Sequence, residues 1–121
     1  MKFTRETATS LTIRSVSDGR ICIGDNSYDH AIALTADSIL GEWPTKAVAE
    51  LNEDDFAALL EGKPEVIIVG TGRTNIFPPR ELVFAMARRR VGLEVMDTTA
   101  AARTFNVLVA EDRQVAAVLY L

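Results

Sequence analysis

Residues 66–79 read VIIVGTGRTNIFPP, and the opening four constrain the fold more than any other stretch of the chain. Val66, Ile67, Ile68 and Val69 form an apolar run without alternation. A strand with one wet face alternates apolar and polar residues, so an unbroken run predicts a strand covered on both faces, at the centre of a sheet with crossover connections. Gly70-Thr71-Gly72 ends that strand. Pro79 then fits the first position of a helix, where a missing N–H costs nothing. Leu82, Val83, Met86 and Ala87 recur at helical spacing as its apolar side, and Arg88, Arg89 and Arg90 suit its negative end.

The same grammar continues downstream. Gly92 precedes a short strand from Leu93 to Met96, and Asp97 or Thr98 caps a further helix through Ala101, Phe105 and Leu108. Val115 to Leu121 close the chain as a strand. Strand, helix, strand, helix, strand builds a layered sheet with right-handed crossovers. The first third alternates like a β-meander: Leu11, Ile13 and Val16, an Asp18-Gly19 turn, Ile21 and Ile23, a turn at 24–26, then Tyr28 to Leu34. Residues 39–44 read as a short extended piece. Asn52, followed by three acids and then Phe56, Leu59 and Leu60, marks a short helix ending at Gly62. The expected fold class is therefore α/β. A single three-layer domain over residues 1–121 has a central mixed β-sheet, helices on both sides, and an N-terminal antiparallel meander adding an edge to that one sheet. Only residues 1–9 are expected to be poorly ordered. A final strand lying at a sheet edge would invite pairing with a second chain, which leaves room for a homodimer.

Composition narrows the chemistry. With one cysteine, Cys22, and one histidine, His30, among 121 residues, no internal disulfide, thiolate zinc site or histidine-based catalytic set can be assembled. No metal and no cofactor are expected. Cys22 reads as a small core residue and His30 as a surface or edge residue. No apolar run approaches the length of a membrane span, and the start MKFTRETATS has no signal-like core. The expectation is a soluble, cytoplasmic protein. The net charge of −4 argues against a nucleic-acid binder, but residues 1–65 hold 6 basic against 12 acidic side chains and residues 66–121 hold 7 against 5. Either the halves pack together and partly neutralise, or the second half carries a site for an anion or an acidic partner.

Ligands of open α/β sheets gather outside the carboxyl ends of the strands. There Gly70, Thr71, Gly72 and Arg73 would face Asp97, Thr98 and Thr99, with Arg103 one turn further along the helix. The amides of a glycine loop can cradle an anion. Yet the loop lacks both the third glycine of a dinucleotide fingerprint and a Gly-Lys-Ser/Thr ending, and its prolines donate nothing. A structural turn and a ligand or partner surface both remain open, as does a bare capping role for Asp97 and Thr98. Asn106, a poor helix former inside a helix, calls for a hydrogen-bond partner in a neighbouring loop. Glu111-Asp112-Arg113 reads as a polar turn or an interaction patch.

Gly70-Thr71-Gly72, Glu94-Val95-Met96-Asp97-Thr98, Thr104-Phe105-Asn106 and Glu111-Asp112-Arg113 occur together, and this joint pattern resembles the adipogenesis-associated Mth-domain family. That family also contains the third mitochondrial complex I assembly factor. The resemblance extends in layout over residues 10–121. It implies a three-layer domain and no established reaction, the mitochondrial relatives acting as non-enzymatic assembly factors. Asp112 departs from the glycine those relatives often carry, and the chain lacks their presequence, so a bacterial member is expected. Two functions follow. The first is a non-catalytic binding or assembly module that holds an unknown protein partner through Gly70, Thr71, Gly72, Arg73, Asp97, Thr98, Arg103 and Asn106. The second is a small-molecule site, conceivably enzymatic, for an anionic ligand, with Asp97 or Glu94 handling protons.

Overall fold

The computed structural model describes residues 11–121. Three strands, β1 (Ile13–Ser17), β2 (Arg20–Ile23) and β3 (Asn26–Tyr28), form an antiparallel meander. Its first turn places Asp18 at φ 52° and Gly19 at φ 73°, the paired left-handed geometry that suits a two-residue hairpin and explains the Asp-Gly choice. After the meander come β4 (Ile32–Thr35) and β5 (Ile39–Glu42), a 3-10 turn over Glu53–Phe56 running into helix α1 (Ala57–Glu61), β6 (Val66–Thr71), α2 (Arg80–Arg88), β7 (Gly92–Met96), α3 (Thr98–Ala110) and β8 (Val115–Tyr120).

The main sheet has the order β5-β4-β8-β6-β7. β6 runs parallel to both β7 and β8, while β4 is antiparallel to β8 and β5. All six residues of β6 are buried. Val66 and Ile68 belong to one core and Ile67 and Val69 to the other, and β8 divides in the same way. That period of two, with both faces covered, is why the run is apolar throughout. The first core lies under α3 (Ala101, Ala102, Phe105) and the meander (Ile13, Ile21, Ile23). The second lies under α1, α2 and Trp43, and includes Phe56, Leu59, Leu82 and Met86. The result is three layers about a central mixed sheet.

Four expectations need correction. The meander does not extend the main sheet; it forms a sheet of its own, because β1 to β3 cross onto α3 and only β4 and β5 join the edge of β8. β8 is central, flanked by β4 and β6, so it offers no free edge and the pairing argument for a homodimer fails at that strand. Cys22 is only partly buried, since Ile21 and Ile23 take the inward positions of β2. In α2 the buried residues are Leu82, Ala85 and Met86, so Val83 and Ala87 face solvent. The helix is turned by roughly one residue from the expected phase: the Leu82–Met86 pair (i, i+4) is kept, and Ala85 takes the place beside it that Val83 and Ala87 were to fill.

The charge halves do meet. Arg89 pairs with Glu53, and Arg113 with Glu65 at 2.7 Å, each joining a second-half arginine to a first-half acid. Both pairs are exposed and contribute little stability.

Candidate functional site

β6 delivers Gly70, Thr71 and Gly72 to the rim of the sheet beside the start of α3. Gly70 has no room for a side chain: a Cβ there would lie 2.9 Å from the Thr98 Cα and 3.0 Å from the Ala101 Cβ. Its glycine is what lets α3 lie directly against the strand. Gly72 has φ +96°, the left-handed region that favours glycine, and turns the chain away from the sheet.

The buried Thr98 hydroxyl is the hub of the rim. It donates to the Tyr120 carbonyl at 2.6 Å and accepts from the Gly72 N–H at 2.8 Å, while the Thr98 N–H donates to the Gly72 carbonyl at 2.9 Å. Thr71 Oγ1 donates to the Thr74 carbonyl at 2.5 Å and accepts from the Ile76 N–H at 3.2 Å. Asp97 is the N-cap of α3, its carboxylate accepting from the Ala100 N–H at 2.9 Å. Gly70 and Thr71 continue the ladder opposite Leu119 and Tyr120. The amide of Gly72 that would head an anion cradle is therefore already bonded, and the carboxylate that would carry protons is capping a helix.

What remains is a cleft of about 350 Å³ lined by Ser17, Asp18, Gly19, Gly72, Arg73, Thr98, Thr99, Tyr120 and Leu121. The structure thus brings Gly72, Arg73 and Thr98 together, with Thr99 beside them. Arg103 is exposed on α3 and does not line the cleft. Asn106 lies further along that helix. Its side chain accepts from the Ile13 N–H at 2.9 Å and donates to the Ile13 carbonyl at 2.8 Å, pairing β1 to α3 as a strand would, whereas a loop was expected. The hairpin residues Ser17 to Gly19 and Tyr120 had escaped sequence reasoning. Asp18-Gly19 signals a turn, but nothing local says that this turn lies over a glycine loop more than fifty residues away.

A second groove, about 610 Å³, runs along the other side of Tyr120 between Asp29, His30, Glu42, Trp43 and Lys46. Here the Trp43 indole donates to the Tyr120 hydroxyl at 2.9 Å, and that hydroxyl donates to the Lys46 carbonyl at 2.7 Å. Burial raises the Tyr120 pKa, partly offset by the Trp43 hydrogen bond. His30 stands 3.5 Å from Glu42. Among the described residues no group of His, Cys, Asp and Glu could hold a metal ion, and no helix is long and apolar enough to cross a membrane.

Comparison with known proteins agrees with this fold. The human NADH dehydrogenase (ubiquinone) 1 alpha subcomplex assembly factor 3 is 32% identical over 117 residues, which cover 95% of this chain but 63% of the assembly factor. A Francisella tularensis protein named 13 kDa major membrane protein is 28% identical over 103 residues, 84% of this chain and 83% of that one. Among solved structures, a Bordetella parapertussis protein superposes with a TM-score of 0.85 at 35% identity, covering 93% of this chain and 96% of its own. A Bordetella pertussis protein described as an Mth938-like domain does so with a TM-score of 0.78 at 30% identity, covering 99% and 90%. Residues 13–120 match the profile of a protein family of unknown function, DUF498/DUF598, and the chain belongs to that family.

Proposed function

We propose that the chain is a non-catalytic binding module of assembly type, with a protein as its partner and the segment around Gly70, Thr71, Gly72 and Arg73 as part of the partner surface. One observation carries the reading. The Gly72 amide, the Thr71 and Thr98 hydroxyls and the Asp97 carboxylate are all spent on internal hydrogen bonds, while the loop they brace holds Arg73 to Phe77 out in solvent. A rim built this way presents a rigid shape and supplies no proton-transfer group. The relative named as an assembly factor supports the same reading. Within it, Asp97, Thr98 and Asn106 hold the surface in place, and Arg73 and Arg103 meet the partner. The module works in the cytoplasm. The Francisella relative's name favours work next to a membrane, reached through the partner and not through a spanning helix.

The cleft beside Arg73 favours a second reading, a site for a small anion. Thermal unfolding against phosphates, nucleotides and small carboxylates separates the two. A ligand at a hundred times its Kd adds about 2.7 kcal/mol of stability, a rise in Tm on the order of 10 °C for a domain of this size. The binding-module reading expects no such rise, together with weakened capture of a specific protein by Arg73→Ala or Arg103→Ala at unchanged Tm. An anion-induced rise abolished by Arg73→Ala would replace that reading with the small-molecule one, and unchanged capture by both variants would remove the partner role of the arginines.

A further inference from the structure

The outward face of α2 and the loop before it present apolar side chains that the fold does not use. Seven large apolar side chains stand exposed among the described residues, and four of them fall within residues 76–84: Ile76 at 42%, Phe77 at 79%, Val83 at 41% and Phe84 at 54%. By contrast, Phe56 and Phe105 are fully buried. Because Leu82, Ala85 and Met86 point into the core, helical geometry puts Arg80, Val83, Phe84, Ala87 and Arg88 together on the opposite side. Residues 72–90 contain five arginines, no lysine and a single acid, Glu81. Arg89 is taken by Glu53, but Arg80 and Arg88 on this side form no salt bridge with any described carboxylate, nor do Arg73 and Arg90, which line clefts elsewhere.

We propose that this face docks an acidic, amphipathic helical segment of another protein, its apolar residues against Phe77, Val83 and Phe84 and its carboxylates toward Arg80 and Arg88. The proposal rests on the binding-module reading and names the chemistry of the partner. Exposed phenylalanine with arginine and without lysine is the composition of interface centres, where aromatic and Arg side chains carry most of the binding energy. Preorganisation adds to this. The bond from the Thr71 hydroxyl to the Thr74 carbonyl, the bond from the Ile76 N–H to that hydroxyl and the Pro78-Pro79 pair restrain the backbone on either side of Phe77 before any partner arrives, which lowers the entropy cost of binding. A nine-residue helix is about 13 Å long, enough to lie alongside two to three turns of a partner helix whose apolar residues are spaced three and four apart.

The other occupants fit less well. A two-fold dimer made through this face would set the patch against a copy of itself, bringing four arginines, Arg80 and Arg88 from each chain, into one interface with Glu81 as the single acid of residues 72–90 on each side. An anionic bilayer attracts clusters of four to eight Lys or Arg, whereas the outward side of α2 carries two, Arg80 and Arg88, on a chain of net charge −4, with Arg73 and Arg90 lining clefts elsewhere.

The test is selection of twelve-residue peptides from a random phage-displayed library on the full chain, followed by fluorescence anisotropy with the enriched peptides. Acidic sequences with two or three large apolar residues at helical spacing are expected. Their binding should weaken at least tenfold in Phe77→Ser, and similarly in Arg80→Glu/Arg88→Glu. These positions are exposed, and an unchanged Tm verifies that each variant is folded. Failure to enrich peptides, enrichment without acids, or affinity unaffected by Phe77→Ser would each overturn the proposal. So would Phe77-dependent flotation with phosphatidylglycerol vesicles in place of peptide binding, or a self-association that Phe77→Ser abolishes. If peptides bind elsewhere on the chain, the docking face is wrong while the binding-module reading survives; an Arg73-dependent Tm rise with a small anion overturns that reading instead.

Discussion

Replacing Thr98 with valine keeps the shape of the side chain and deletes only the hydroxyl that ties the rim together. Thr98 is 2% exposed, so water cannot readily substitute. The Gly72 N–H, which now donates at 2.8 Å, is left without an acceptor, and the Tyr120 carbonyl loses the donor at 2.6 Å. A buried polar group stripped of its partner costs about 1–3 kcal/mol, and the carbonyl side adds a smaller amount, so the expected loss is about 2–4 kcal/mol. For a domain of this size that lowers Tm by on the order of 10 °C. Thr98→Ser keeps both bonds and loses a buried methyl, about 1 kcal/mol. Urea unfolding followed by far-ultraviolet circular dichroism measures all three proteins. Equal stability of the valine and serine variants would refute the reasoning, because the Gly72 amide would then not depend on Thr98 and would again be a candidate donor for a bound anion.

The remaining expectations concern the scaffold. Gly70→Ala forces a Cβ to within 2.9 Å of the Thr98 Cα and should cost about 1–3 kcal/mol as an overpacked contact. Gly62→Ala, whose added Cβ meets nothing closer than 3.6 Å in a right-handed helical conformation, should be neutral or stabilising by up to about 1 kcal/mol; denaturant midpoints of the two variants read the contrast. Asn106→Ala removes both bonds to Ile13, and amide hydrogen exchange should show faster opening of Ile13 than of Ile68 in the central strand. Burial alone would raise the pKa of Asp55, but the hydrogen bond from Lys46, the Asn52 N–H and the Lys46 charge outweigh it and hold the carboxyl below its ordinary value of 3.8. The stability this contributes is present above that value and disappears as pH falls through the depressed native one, so acid titration of Asp55→Asn should lack that part of the wild-type loss.

Much of the architecture was legible because its signals are local. The unbroken apolar run at 66–69 required a strand covered on both faces. Asn52 declared an N-cap, and the structure adds the reciprocal bond from the Asn52 N–H to the Asp55 carboxylate that completes a capping box. A second cap was expected at Asp97 or Thr98, and Asp97 is the one that makes it. The order of strands and helices from β6 onward, and hence the layered class, followed from spacing alone. The rim of the candidate site was legible only in part: Gly72, Arg73 and Thr98 meet there as expected, since strand ends in a parallel arrangement share one edge of the sheet.

Relations between distant residues lay beyond the sequence. The separate meander sheet, the central place of β8 and the phase of α2 depend on which surfaces cover one another, and a strand or helix pattern carries no label for its neighbour. Val83 and Ala87 have the spacing of a core stripe, yet Leu82, Ala85 and Met86 occupy the core because the packed sheet accepts that side of the helix. The fate of the glycine loop was decided in the same way. GTG offers amides to an anion or to the chain, and only the approach of the Thr98 hydroxyl, brought in by α3 across the empty Cβ position of Gly70, settles which partner Gly72 takes. Local sequence determines which hydrogen-bonding groups a turn exposes, and tertiary packing determines which of them are still unpaired when folding is complete.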